Sequence, residues 1–79
     1  MGKLTKAQRE TLECCPDWSA PFEVAERRRA LGTNVYSRRV EGMLRMLERR
    51  ELVKFGRPNG TFRITALGRA ALQSPEAKT

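Results

Sequence analysis

Apolar residues recur at three- and four-residue spacing from Leu4 to Leu47, fall into short strand-like runs after Glu51, and return to helical spacing after Thr65. The first helix is predicted to open on Thr5 as N-cap, with Gln8 completing a capping box and Leu4 and Leu12 offering apolar contacts. It ends near Cys15, because Pro16 and Asp17 break the pattern. Trp18 follows in the connection, where its large apolar surface is expected to close one edge of the core. Ser19 to Pro21 read as a cap and first turn. Phe22, Val24, Ala25 and Leu31 then form the apolar stripe of a second helix, which Gly32 stops.

Thr33 or Asn34 is expected to cap the third helix, which spans 34–51. The connection is only a few residues long, so helices two and three should form a helix-turn-helix. Tyr36, Val40, Met43, Leu44 and Leu47 fall on one face of helix three and predict its core side. The opposite face carries Val35, Arg38, Gly42, Arg45 and Arg49, flanked by Ser37 and Arg39. Leu52 to Phe55 and Thr61 to Thr65 read as two strands of a hairpin. Pro58 suits an early turn position between them, and Asn59 and Gly60 tolerate the positive φ of tight turns. Thr65 caps a last short helix through Leu72, whose leucines return to the core and which Gly68 weakens. The expected fold class is α+β, mainly α: a three-helix core, a two-stranded hairpin and a C-terminal helix in one domain, 1–73. Residues 74–79, with Pro75 and no large apolar side chain, are expected to form a disordered tail.

Charge adds a partner class to this outline. Among 79 residues, 16 Lys and Arg oppose 9 Asp and Glu, a net charge of +7 that favours polyanions. The chain has no His, and its two cysteines, Cys14 and Cys15, are adjacent, so neither a zinc site at the usual spacings nor an internal disulfide is expected. The bland reading is a pair of reduced thiols at a helix end, and no cofactor is implied. Residues 1–6 lack the apolar run of a signal peptide and no stretch is apolar enough to span a bilayer, so a soluble cytoplasmic protein is expected.

The order helix, helix, turn, helix, basic hairpin resembles a winged helix-turn-helix domain, in particular small bacterial regulators of the MarR and PadR type. The resemblance covers about Leu4 to Leu72. It rests on Ser37, Arg38, Val40, Leu44, Leu47, Leu52 and Val53, then Ile64, Thr65, Gly68 and Leu72. It departs at Glu51, where such regulators commonly have a glycine, and the long helices through which MarR-type proteins dimerise have no counterpart. What the resemblance implies is double-stranded DNA binding, a repressor-like role in transcription, and a very short third strand near Ser19 to Pro21 pairing with the hairpin.

In such a geometry helix three enters the major groove. Arg38 is the expected base reader, since a guanidinium bonds O6 and N7 of guanine together, and Val35 is placed against a thymine methyl. Gly42 would let the helix approach closely, or is a tolerated surface residue, or packs against another helix. Arg39 and Arg45 are expected on phosphates, with Asn34, Ser37 and Tyr36 beside them, Tyr36 being divided between core and phosphate. The hairpin adds Lys54, Arg57, Asn59 and Arg63, on the backbone or in the minor groove. Arg27, Arg28 and Arg29 form the longest basic run. Most such runs are solvated, and Arg28 is taken as a phosphate contact from the first motif helix. The chain lacks His, a phosphate-cradling glycine loop and a recognisable catalytic carboxylate pair, so no enzyme is expected. The alternative function is a winged-helix docking module for another protein. A homodimer on an inverted repeat would raise affinity and selectivity.

Overall fold

The computed structural model describes residues 4–57 and 59–73; Pro58, expected at an early turn position, and the expected tail 74–79 lie outside them. The described residues form four helices and one hairpin, an α+β, mainly helical arrangement in the order α1 Lys6–Glu13, α2 Pro21–Ala30, α3 Ser37–Arg49, β1 Val53–Gly56, β2 Thr61–Ile64 and α4 Ala66–Leu72. The core gathers Leu12, Val24, Ala25, Val40, Leu44, Leu47, Leu52, Val53, Phe62 and Ile64, so every element except α4 places fully buried apolar side chains in it, and α4 adds Ala71 and Leu72 at the edge.

Local capping chemistry sets most of the boundaries. The Gln8 amide donates to Thr5 Oγ1 (3.1 Å) and the Thr5 amide to Gln8 Oε1 (2.9 Å), the capping box expected for α1. For α2 the N-cap is Ala20 rather than Ser19, with Pro21 in the first turn and Glu23 Oε1 accepting from the Ala20 amide (2.8 Å). Ser19 is instead buried and forms an antiparallel bridge with Phe62, its amide donating to the Phe62 carbonyl (2.9 Å) and its carbonyl accepting from the Phe62 amide (2.8 Å). Thr65 caps α4, its hydroxyl oxygen accepting from the Gly68 amide (3.0 Å).

The stripe of α2 differs from expectation. Phe22 and Leu31 are exposed, and Val24, Ala25 and Arg28 are the buried positions. These three are spaced one, three and four apart, as one helix face requires, whereas Phe22 lies about 200° around the helix from Val24. Leu67 is likewise exposed on α4. Helix α3 starts at Ser37, three residues later than predicted, and ends at Arg49. Its N-cap is Tyr36, in extended backbone, so helical spacing does not govern residues 34–36: Val35 turns into the core and Tyr36 is 69% exposed rather than on the core face.

Helices α2 and α3 end in the same hydrogen-bond pattern. After α2 the Gly32 amide donates to the Arg29 carbonyl (3.0 Å) and the Thr33 amide to the Arg28 carbonyl (3.0 Å). After α3 the Glu51 amide donates to the Glu48 carbonyl (2.9 Å) and the Leu52 amide to the Leu47 carbonyl (2.9 Å). This is the Schellman arrangement, which puts the residue after the cap in the left-handed region. Gly32 takes φ +99° and Glu51 φ +66°. A side chain there costs about 1 kcal/mol against glycine. Glu51→Gly is therefore expected to stabilise the domain by about 1 kcal/mol, read as a higher urea midpoint with an unchanged slope.

In the hairpin, Val53 pairs with Ile64, Lys54 with Arg63, Phe55 with Phe62 and Gly56 with Thr61. The turn therefore spans 57–60, closed by the Gly60 amide on the Gly56 carbonyl (3.0 Å), with Gly60 at φ +67°. Alternation directs Val53, Phe55, Phe62 and Ile64 inward and Lys54, Gly56, Thr61 and Arg63 outward.

Candidate nucleic-acid interface

The position of α3 is set by polar contacts behind it as well as by its apolar face. Glu10 on α1 accepts from Arg28 Nε (2.9 Å) and from the Thr33 hydroxyl (2.7 Å), and Arg28 Nη1 donates to Thr11 Oγ1 (3.1 Å). Arg29 Nη1 donates to the Val35 carbonyl (2.8 Å). Together they tie the turn between α2 and α3 to α1 and to the end of α2. On the other side, Val40, Leu44 and Leu47 are fully buried.

That packing leaves an exposed arc of α3 made of Arg38, Arg39, Gly42, Arg45, Met46 and Arg49, with no carboxylate inside it. Glu41 and the exposed Glu48 lie along one edge of it, and Glu41 accepts from Arg45 Nη2 (3.0 Å), an exposed pair one turn apart that contributes little to stability. The Arg45 guanidinium carbon also sits 5.8 Å from the centre of the Phe55 ring, which joins the arc to the inner face of β1. Arg38 and Arg39 make no side-chain ion pair or hydrogen bond among the described residues. A Cβ at Gly42 would meet nothing within 4 Å, so this glycine is not packed against another helix of the chain. Met46 closes the arc toward α1, its sulfur 3.9 Å from Gln8 Nε2.

The other expected contacts are distributed unevenly. Ser37 is the half-buried first residue of α3, and Asn34 and Tyr36 are exposed in the turn before it. Val35 is buried, only 8% exposed, and cannot meet a base, because the helix begins after it. Arg57 and Asn59 are exposed at the hairpin turn. Lys54 and Arg63 form a cross-strand pair on the outer face, turned away from Phe55 and Arg45. Arg63 lies 3.7 Å from the Asp17 carboxylate and 6.0 Å from the centre of the Trp18 ring.

Arg28 is not a phosphate contact: it is buried and paired with Glu10. The whole run 27–29 is structural rather than merely solvated, since Arg27 Nη1 donates to the Cys14 carbonyl (2.8 Å) and to Ser19 Oγ (2.7 Å), and Arg29 holds Val35. Glu10's carboxyl is held below its ordinary range by the Thr33 hydroxyl first and Arg28 second. Cys14 and Cys15 are both buried free thiols. Burial raises Cys14 and pushes Cys15 up to about 11, so neither is poised to ionise, and Cys15 Sγ donates to the Phe62 carbonyl (3.1 Å).

Trp18 does not close the core but lies 43% exposed over the outer face of the hairpin. Gly56 makes this seat, because a Cβ there would come within 2.8 Å of the Trp18 ring. No helix among the described residues is long and apolar enough to cross a membrane. Comparison with protein-family models, with curated proteins and with solved structures finds no match, so the functional reading rests on this chain's own residues.

Proposed function

We propose that the chain is a winged helix-turn-helix domain that binds double-stranded DNA in a sequence-specific manner, as a small transcriptional regulator of repressor type. The observation that carries this reading is the carboxylate-free arc of Arg38, Arg39, Gly42, Arg45 and Arg49 on a helix whose opposite face is locked into the core. Two features support it further. The isolated Ser19–Phe62 bridge lies beside β2, between α1 and α2, where the winged architecture has a short strand. The Schellman turn delivers α3 from α2 within a few residues.

In this reading α3 lies in the major groove, with Arg38 near its N-terminal end reading guanine and Gly42 letting the backbone approach. Arg39, Arg45 and Arg49 grip phosphates on either side. The hairpin acts as the wing through Arg57 and Asn59 at its turn, while Lys54 and Arg63 stay on its outer face. Arginine at the centre of the arc separates this surface from a protein-docking helix, which would display apolar residues there.

Fluorescence anisotropy on labelled duplex DNA at several salt concentrations tests the reading. Four or five neutralised phosphates give a slope of about −4 in log K against log salt. Arg38→Ala is expected to weaken the preferred site by roughly 10- to 100-fold and to relax its sequence preference, since a bidentate contact is worth about 1–3 kcal/mol. Arg57→Ala should weaken all sequences alike, and an equal-length RNA duplex should bind poorly, because its major groove is closed to side chains. Affinity that ignores both substitutions would remove DNA from this surface and leave a protein partner as its occupant.

A further inference from the structure

The outer face of the hairpin forms a second basic surface, separate from α3. A shallow cavity of about 310 Å³ opens there, lined by Trp18, Lys54, Arg63, Thr65 and Arg69. Its volume is at the lower end of what small-ligand sites occupy. Three elements build it: the α1–α2 connection supplies the indole, the hairpin supplies Lys54 and Arg63 as cross-strand neighbours, and α4 supplies Arg69. Gly56 makes room for the indole, since a side chain at 56 would displace it. The indole keeps 43% of its surface exposed, so part of the ring is open to the cavity. Here it shares the cavity lining with three cations, of which Arg63 lies 6.0 Å from the ring centre, and the Asp17 carboxylate, 3.7 Å from Arg63, is the nearby counter-charge.

An aromatic plane beside converging cations matches a ligand that joins a planar ring to an anion. We propose that this cavity binds one nucleotide unit, its base stacked on Trp18 and its phosphate held by Lys54, Arg63 and Arg69. Base stacking on an aromatic side chain and phosphate pairing with arginine are the two contacts by which proteins hold unpaired nucleotides. The unit is either a free mononucleotide or one residue of a single strand, and both present the same ring and phosphate. The site shares no residue with the arc of α3.

Trp18 is the only tryptophan of the chain, so its fluorescence reports occupancy directly. The full chain would be titrated with adenosine 5′-monophosphate, with adenosine, with inorganic phosphate and with a single-stranded trinucleotide. The expected result is saturable quenching by the mononucleotide, with adenosine and phosphate each at least about tenfold weaker because each holds half of the contacts. Arg69→Gln and Lys54→Gln, both at exposed positions, should each weaken it by about tenfold or more, with Arg38→Ala unchanged. A trinucleotide that binds about tenfold more tightly than the mononucleotide identifies a strand as the source, and equal affinity identifies the free nucleotide. The proposal is overturned if no saturable quenching occurs by about 10 mM, if adenosine or phosphate alone matches the mononucleotide, or if the Arg69 and Lys54 variants titrate like the parent. Loss of duplex binding in Arg38→Ala with nucleotide quenching retained would separate this site from the α3 surface.

Discussion

Replacing Gly68 with alanine should lower the melting temperature by roughly 10–20 °C, although the change improves helix propensity by about 1 kcal/mol. A Cβ at this position would run into the carbonyl oxygen of Leu52 and come within 2.7 Å of Ile64 Cγ1. The obstacle is backbone, so no rotamer change relieves it, and α4 must move away as a unit. That movement pulls on the Thr65 amide, which donates to the Leu52 carbonyl (3.0 Å), and on the Thr65 hydroxyl, which donates to the Glu51 carbonyl (2.7 Å). Overpacking of this kind costs about 1–3 kcal/mol, and the strained hydrogen bonds bring the net loss to about 2–3 kcal/mol. In a domain this small each kcal/mol is worth about 4–8 °C. Gly42→Ala is the matched control, since its Cβ meets nothing within 4 Å, and it should raise stability by up to about 1 kcal/mol. Gly68→Ala melting at or above the parent would show that α4 does not pack on Leu52 as described.

Gly68 also illustrates what could and could not be read in advance. As a letter it is a weak helix residue, and only the approach of Leu52 across the chain reveals that a glycine is required. Features decided by neighbours in sequence were legible: the Thr5–Gln8 box, the stop at Gly32, the turn around Gly60 and the Thr65 cap. The arc of α3 was legible too, because Arg38, Gly42, Arg45 and Arg49 keep helical phase once the helix is under way. Its start was not. Thr33 is a good N-cap residue, but its hydroxyl is taken by Glu10, twenty-three positions earlier, and residues 34–36 stay extended. Val35 and Tyr36 consequently exchange the environments that helical phase assigned them. Trp18 escaped for a similar reason, since the gap it occupies is a missing side chain on another strand.

The buried stripe of α2 was the other misreading, and it leads to the second large effect. Glu10→Ala is expected to destabilise the domain by about 3 kcal/mol, because it leaves the Arg28 guanidinium buried with the Thr11 hydroxyl as its remaining partner among the described residues. The Arg28 side chain is only 6% exposed, so water cannot replace the lost carboxylate. Removing both charges in Glu10→Leu with Arg28→Met should recover most of the loss, since well-packed apolar residues often serve as well as a buried pair. Acidity separates the pair's charge from its shape. Thr33 and Arg28 hold the Glu10 carboxyl below its ordinary value, so the unfolded chain binds its proton at higher pH than the folded one. The pair's contribution is therefore complete above the unfolded value of about 4.5 and fades as pH falls through the folded value. Urea midpoints measured from about pH 7 down to pH 3 should fall more steeply in the parent than in the double variant over the acid end. Parallel curves would mean that the carboxylate is not what holds Arg28. Because the same carboxylate grips Thr33 in the turn before α3, Glu10→Ala should also weaken duplex binding at neutral pH without touching any residue of the arc.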